Sequence, residues 1–482
     1  MSLQKNFIYS SILTVSTYLF PLLVYPYVSR VLGLTNIGIV NFIDNLINYF
    51  VAVSMMGITT VGVREIAGAR NDKFQLSHTF TSLLSLTGIT TIAAMLILLV
   101  AMYSIPTLVP YQDLLYVGQI KLISNLFLIE WLFTGLEDFK YITIRTIIIR
   151  CLYIASVFLF VRAATDYKLF YVLTCGMVFT NAVINVIYSK RFVIYSFKSV
   201  MMRPYVKPFF IMGIYALLVH VYTSLNSVWL GFVTNTDEVG YFTTATRLYS
   251  IVMALLISFT NILFPHVSNL LAEGHTTEFW QKINSAFDVL LVFAFPTAIF
   301  LLVAGPSLLH LFAGDGYEGA YLPMRIISPL VLIVGTEQIL VIQILMAMHE
   351  DRTVLKNSFT GALVAILLNL LITSSLGAPG SAIVWVISEL CIMILSIVFI
   401  RRRYHFSIPY RKFIHYVVAY LPLTGMALLH LYYLENELLL LFFFALTTLI
   451  YTCICEVFII KNRLILNILD KFKTFCQNRY SL

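Results

Sequence analysis

Charge is scarce in this sequence. Asp, Glu, Lys and Arg make up 11% of its 482 residues, where soluble domains carry about 25%. So little charge cannot coat a water-facing surface. Long polar connections are lacking too: the longest runs only from Lys190 to Pro208. That leaves no room for an extramembrane catalytic domain. There is no Walker A loop, no HExxH, no GxSxG and no acidic pair in a sizeable loop, so the sequence offers no enzyme signature. The six cysteines are Cys151, Cys175, Cys391, Cys453, Cys455 and Cys476, and none forms a CxxC pair. Five fall inside apolar runs, and the cysteines read as small apolar core residues rather than metal ligands or disulfides. The net charge of +8 is no sign of nucleic acid, because Lys and Arg are sorted along the chain in another way.

What is abundant is apolar sequence: 60% of residues are hydrophobic and the mean hydropathy is +0.90. Runs of about 20 apolar residues, enough to cross a hydrocarbon core of about 30 Å, recur over the whole length. A β-barrel would show short alternating segments instead. The expectation is an all-α, polytopic membrane protein with about fourteen transmembrane helices, at 7–31, 37–63, 77–103, 113–136, 141–162, 167–189, 208–232, 238–271, 285–312, 319–348, 354–374, 379–400, 412–433 and 437–460. The first run is too long for the core of a cleavable signal and reads as a signal-anchor helix.

The loops then separate by charge. Turns after the even-numbered spans hold Arg64, Arg70, Lys73; Lys140, Arg145; Lys190, Arg191, Lys198, Arg203, Lys207; Lys282; Arg352, Lys356; and Arg401, Arg402, Arg403, Arg411, Lys412. With Lys5 and the tail residues Lys461, Arg463, Lys471, Lys473 and Arg479 this accounts for about 24 of the 31 basic residues. The opposite loops, "YSIPTLVPYQD", "TNTDEV", "GDGYEG", "SSLGAPG" and "YLENE", contain none. The positive-inside rule therefore puts both termini in the cytoplasm.

The long basic connection divides the chain into an N-terminal six-helix bundle (1–195), a second six-helix bundle (196–403) and a final helix pair with a tail (404–482). The halves echo one another faintly: "VLGLTNIG" after span one resembles "WLGFVTNTDEVG" after span seven. Parallel repeats of this kind suit transporters, with a substrate path between the halves. Prolines inside the spans, at Pro21, Pro26, Pro265, Pro296, Pro306, Pro323, Pro329 and Pro422, permit kinks that serve either packing or bending.

Ionisable residues within spans cost several kcal/mol unless they are paired or face water. At 1.5 Å per residue, Lys121, Arg247 and Arg325 lie about two turns below the outer surface, with Arg30 ending span one and Asp44 about two turns into span two. Each either snorkels or pairs locally, Arg30 with Asp44 for example, or the cations line a cavity suited to an anion. The inner half holds Glu130, Arg150, Asp288, Glu337 and Glu456, with Glu389 nearer the middle. Folding the hairpin "EWLFTGLEDFKYITIR" about Asp138 sets Glu130 opposite residue 146, within reach of Arg145 or Arg150. Glu130 thus reads as an ion-pair member, and Glu337, with no sequence-local partner, as the titrating candidate.

That hairpin also carries a resemblance. With "FPLLVYPYVSRVLGLTNIGIVNF", "MGITTVGVREIAG", "VGYFTTATRLYSI", "ILFPHVSNLL", "QILMAMHEDRTVLKNSFTGALVAILLNLLI" and "LGAPGSAIVWVISEL" it covers most of residues 6–400. The set resembles the polysaccharide flippases, the Wzx-type O-antigen and capsule repeat-unit transporters of the multidrug/oligosaccharidyl-lipid/polysaccharide exporter superfamily. The resemblance implies a V-shaped pair of six-helix bundles in a bacterial cytoplasmic membrane. It implies movement of a polyprenyl-diphosphate-linked oligosaccharide by alternating access, without a cofactor and coupled to a proton or sodium gradient. One departure stands out: family members often carry Asp before the "LG" of span seven, where this chain has Asn226. A coupling role for that carboxylate does not carry over.

On this reading Arg30, Lys121, Arg247 and Arg325 bind substrate, and Asp44, Glu130 and Glu337 are ion-coupling or ion-pair candidates. The partners expected are the lipid-linked oligosaccharide, the bilayer and other polysaccharide-assembly proteins, and no nucleic acid. A multidrug antiporter of the same fold is the nearest alternative, although cationic substrates sit poorly beside buried cations. A membrane-embedded glycan polymerase or ligase would place reactive groups in a large outward loop, which is lacking. A scaffold would not need charge inside the membrane.

Overall fold

The computed structural model describes residues 3–197, 200–433 and 436–462. Lys198, Arg463, Lys471, Lys473, Arg479 and Cys476 lie outside them. The described chain is almost wholly helical: α1 (Leu3–Met55), α2 (Ile58–Ala69), α3 (Lys73–Ser104), α4 (Gln112–Leu126), α5 (Glu130–Gly135), α6 (Phe139–Phe160), α7 (Tyr167–Ser189), α8 (Arg203–Val233), α9 (Thr236–Ala272), α10 (Thr276–Ala313), α11 (Tyr321–Ile327), α12 (Leu330–Glu337), α13 (Asp351–Leu368), α14 (Ser374–Tyr404), α15 (Tyr410–Tyr433) and α16 (Glu437–Ile454). Two compact units divide the chain, Met1–Thr243 and Thr244–Leu482.

Among the described residues ten helices are long and apolar enough to cross a membrane, or eleven if the bent pair Glu318–Ile327 and Leu330–Met346 is one span. Two of the ten, Leu19–Ala69 and Asp351–Tyr404, run for 51 and 54 residues, over twice the length of about 20 that a crossing needs. Each is broken by a glycine in a conformation closed to other residues: Gly33 at φ 76, ψ 169 and Gly377 at φ 60, ψ −135. This segmentation is compatible with fourteen crossings. Inside α1 and α14 the non-helical positions are glycines, whereas α9 and α10 carry Pro265, Pro296 and Pro306 within continuous helices. The exception is the 42° bend between α11 and α12, where Pro329 caps the second piece. The stretch expected as one span over 113–136 is also interrupted, because Ile129 takes φ 39 between α4 and α5.

The outer faces are apolar. On α3, Ile92, Leu96 and Val100 are 61%, 57% and 64% exposed, four residues apart. A stripe of this kind is a lipid-facing surface rather than a soluble one. Inside the first unit, Phe80, Trp131 and Phe133 centre a packed cluster with Ile58 and Ile66. In the second, Leu291 and Phe295 of α10 pack on Tyr416, Tyr420, Leu423 and Phe444, which fixes α15 and α16 to α10. Hydroxyls on the buried face of α3 donate to carbonyls one turn back, Thr81 to Ser77 (2.7 Å) and Thr91 to Thr87 (2.7 Å). Each polar group is thus satisfied within its own helix. The five described cysteines are free. Cys175 and Cys455 are buried, and Cys151 and Cys453 lie on the exposed faces instead of in the core.

The two echoing segments meet within the first unit. A Cβ on Gly38 would lie 1.8 Å from the Thr236 carbonyl oxygen, and one on Gly240 would lie 2.7 Å from Leu34 Cδ1. Asn41 Nδ2 donates to Thr243 Oγ1 at 2.9 Å beside this crossing. Backbone contact this close admits only glycine. Gly38→Val should cost at least about 2 kcal/mol through overpacking and lower the thermal midpoint of the purified protein. Gly68→Ala, where a Cβ meets nothing within 4 Å, should leave that midpoint unchanged. Equal midpoints for both variants would contradict the packing argument.

Candidate functional site

In the first unit two pairs of membrane-depth charges meet. Lys121 of α4 is 8% exposed, and its Nζ lies 2.6 Å from Asp44 Oδ1 of α1. One turn further along each helix a second layer supports the pair: Asn48 Nδ2 donates to Asp44 Oδ2 at 3.2 Å, and Asn125 Nδ2 to the Lys121 carbonyl at 2.8 Å. Asp44 thus meets Lys121, 77 positions away, in place of the neighbouring Arg30 expected from the sequence. Arg30 itself is exposed and its Nη1 donates to the Pro26 carbonyl at 3.0 Å. Lys121 presents a neutralised pair, not a bare cation.

The hairpin of α5 and α6 folds so that Arg145 Nη2 lies 2.6 Å from Glu130 Oε1. Arg145 is nearly dry, and it also donates to Thr146 Oγ1 at 2.8 Å and to Asn185 Oδ1. Tyr141 OH donates to the same Asn185 oxygen at 2.9 Å and stacks on Tyr188, with ring centroids 3.6 Å apart. Tyr188 OH reaches Asp138 Oδ2 at 2.8 Å, and Asp138 caps the start of α6. Glu130 is therefore one anchor of a rigid corner. Arg150 lies elsewhere, with Nη1 on Ser16 Oγ at 2.8 Å.

The second unit holds the other charges. Arg247 is half-buried on α9 and Arg325 is exposed on α11. Glu337, at the end of α12, is 8% exposed, and Glu389 of α14 is 4% exposed. The two carboxyl groups lie within hydrogen-bonding reach of each other. Trp385, one turn before Glu389, donates its indole N–H to Glu389 Oε1 at 2.9 Å. Tyr249 of α9 sets its ring edge-on to Trp385 at 5.1 Å and its hydroxyl 3.3 Å from the Leu330 carbonyl. Glu337 Oε2 is buried without a partner. Sequence reasoning singled out Glu337 but missed Glu389 as its neighbour, since 52 residues and a chain reversal separate them. The one local hint is Trp385 four residues before Glu389, a helical spacing that puts an indole donor on the same face. Just past the end of α16, Glu456 is fully buried and accepts from Tyr416 (2.9 Å) and Tyr420 (3.1 Å) of α15.

A multi-pass helical protein with paired or enclosed charges at membrane depth belongs among the membrane transporters. The particular family is given by a model of the polysaccharide biosynthesis proteins, which matches residues 3–271, more than half of the chain. The chain belongs to that family. It is 25% identical over 410 residues to a protein of Escherichia coli (strain K12) that carries the provisional name O-antigen transporter, covering 83% of this chain and 97% of that one. A Shigella dysenteriae protein of the same name is 23% identical over 408 residues, covering 82% and 99%. Among solved structures, the inward closed conformation of the lipid II flippase MurJ superposes with a TM-score of 0.77 at 14% identity, covering 94% of this chain and 100% of that one. An inward-facing multidrug resistance MATE family transporter of the MOP superfamily gives 0.65 at 15% identity, covering 80% and 94%. The chain shares their fold.

Proposed function

We propose that the protein carries a polyprenyl-diphosphate-linked oligosaccharide from the cytoplasmic to the outer leaflet of a bacterial cytoplasmic membrane, by alternating access. The observation that carries this reading is similarity along 83% of the chain to a relative named as an O-antigen transporter. The carrier makes and breaks no bonds of its substrate. Arg247 and Arg325 supply forked donors for the diphosphate, replacing hydration that it sheds on entering the protein. Other polysaccharide-assembly proteins are its working partners. Transport is coupled to a proton or sodium gradient, and the Glu337–Glu389 pair is the group whose occupancy changes. Two ionised carboxylates in dry contact repel one another, and a bound cation relieves that repulsion. The same acid pair favours a second reading, antiport of a small cationic solute on this fold.

The two readings separate in a strain lacking its own flippase gene. Expression of this protein should restore surface glycan and leave drug resistance unchanged. Resistance without glycan, at normal protein abundance, would favour antiport. Orientation is open to a separate test. Reporters fused after Lys73, Lys207, Arg403 and the C-terminus should report cytoplasm, and those within "TNTDEV" and "SSLGAPG" the exterior. A C-terminal reporter on the outside would overturn both the helix count and the orientation.

A further inference from the structure

A cavity of about 500 Å³ lies inside the first unit, beside the Glu130–Arg145 pair. Its polar lining comes from Asn45, Asn48 and Tyr49 of α1, Thr59 of α2, Asn125 of α4, Glu130 of α5 and His220 of α8. Among the described residues no Lys or Arg borders it. Glu130 is balanced from behind by Arg145 at 2.6 Å, so the space is close to electrically neutral. Asn48 and Asn125 each commit their Nδ2 to neighbours, which leaves their side-chain carbonyl oxygens as acceptors. The Asn45 amide has no hydrogen-bond partner among the described residues. Tyr49 is held by donating to the His220 carbonyl at 2.8 Å, with the two rings 6.4 Å apart and steeply inclined. The rest of the wall is apolar, from Val51, Ala52, Met55, Leu128 and Trp131.

Three ligand classes can be weighed against this wall. A diphosphate accepts hydrogen bonds only, so the free carbonyl oxygens and the Glu130 carboxylate would oppose it. A polyprenyl tail would strip water from amides without replacing it. A hydroxyl-bearing ring both donates and accepts, as side-chain amides do, and offers an apolar C–H face to aromatic and aliphatic walls. The volume falls within the range of about 300–1,000 Å³ typical of small-molecule sites. We propose that this cavity is a subsite for an uncharged sugar. On the function proposed above, on which this inference rests, it holds part of the glycan while other residues hold the diphosphate.

The test uses full-length protein with its six cysteines replaced, in lipid nanodiscs, carrying Asn45→Cys or, separately, Asn125→Cys. Labelling by a small water-soluble maleimide is timed in buffer, with neutral oligosaccharide released by mild acid from the cells' lipid-linked glycan, and with inorganic pyrophosphate. Oligosaccharide should slow labelling saturably, by about tenfold at nine times its dissociation constant. Pyrophosphate should leave the rate unchanged, and Ser104→Cys, exposed at the end of α3, should be insensitive to both. Protection by pyrophosphate alone would overturn the proposal, as would no protection by sugar. So would failure of both cavity cysteines to label in folded protein. Sugar protection in a protein that restores no surface glycan would instead strike at the transport reading and leave the subsite standing.

Discussion

An Arg247→Ala, Arg325→Ala double variant should export at least about tenfold less glycan than the wild type while inserting and accumulating normally. Each charge-assisted hydrogen bond contributes about 1.5–3 kcal/mol, and tenfold in binding is about 1.4 kcal/mol. Losing two guanidinium groups therefore exceeds that threshold even if each makes one bond to the diphosphate. Neither side chain is deeply buried: Arg247 is half-buried and Arg325 exposed. Their removal should consequently spare stability, and this separates a substrate role from a packing role. Arg247→Lys should recover only part of the loss, since an ammonium supplies a point charge without the planar fork. Surface glycan, normalised to the amount of each variant in the membrane, is the readout. Full export by the double variant would rule out these arginines as the diphosphate site.

The largest effect on stability should come from Lys121. Replacing it with Met leaves Asp44 at membrane depth with Asn48 as its one side-chain partner among the described residues. Breaking a buried ion pair by removing one member costs about 3–5 kcal/mol. Asp44 keeps 25% side-chain exposure, so the lower end, roughly 3 kcal/mol, is expected. An Asp44→Asn, Lys121→Met double variant should recover most of that cost, because no charge is left stranded. The cycle is read from unfolding of the purified proteins in mild detergent. Single variants that cost no more than the double variant would mean that the two groups do not interact.

These two sites differ in how well the sequence announced them. The spans were legible because each is a long apolar run, and the breaks at Gly33 and Gly377 fall where the runs were divided. The Glu130–Arg145 contact was legible because a tight hairpin fixes which residues face each other across about two turns. Asp44 with Lys121, and Glu337 with Glu389, were not legible. Each joins helices that meet only after the chain has reversed direction, and no local periodicity encodes that register. The break at Ile129 was also missed, because a β-branched residue at positive φ is held there by its surroundings rather than by its own preference.

Movement of the lipid-linked glycan itself is the most direct measurement. Purified protein should be reconstituted into liposomes whose inner leaflet carries polyprenyl-diphosphate-linked oligosaccharide, with a glycan-specific lectin outside. An imposed proton or sodium gradient should expose glycan to the lectin far faster than in protein-free liposomes. A Glu337→Gln, Glu389→Gln variant should lose the gradient dependence. Glycan that stays inaccessible in the presence of folded wild-type protein, under either gradient, would contradict the account.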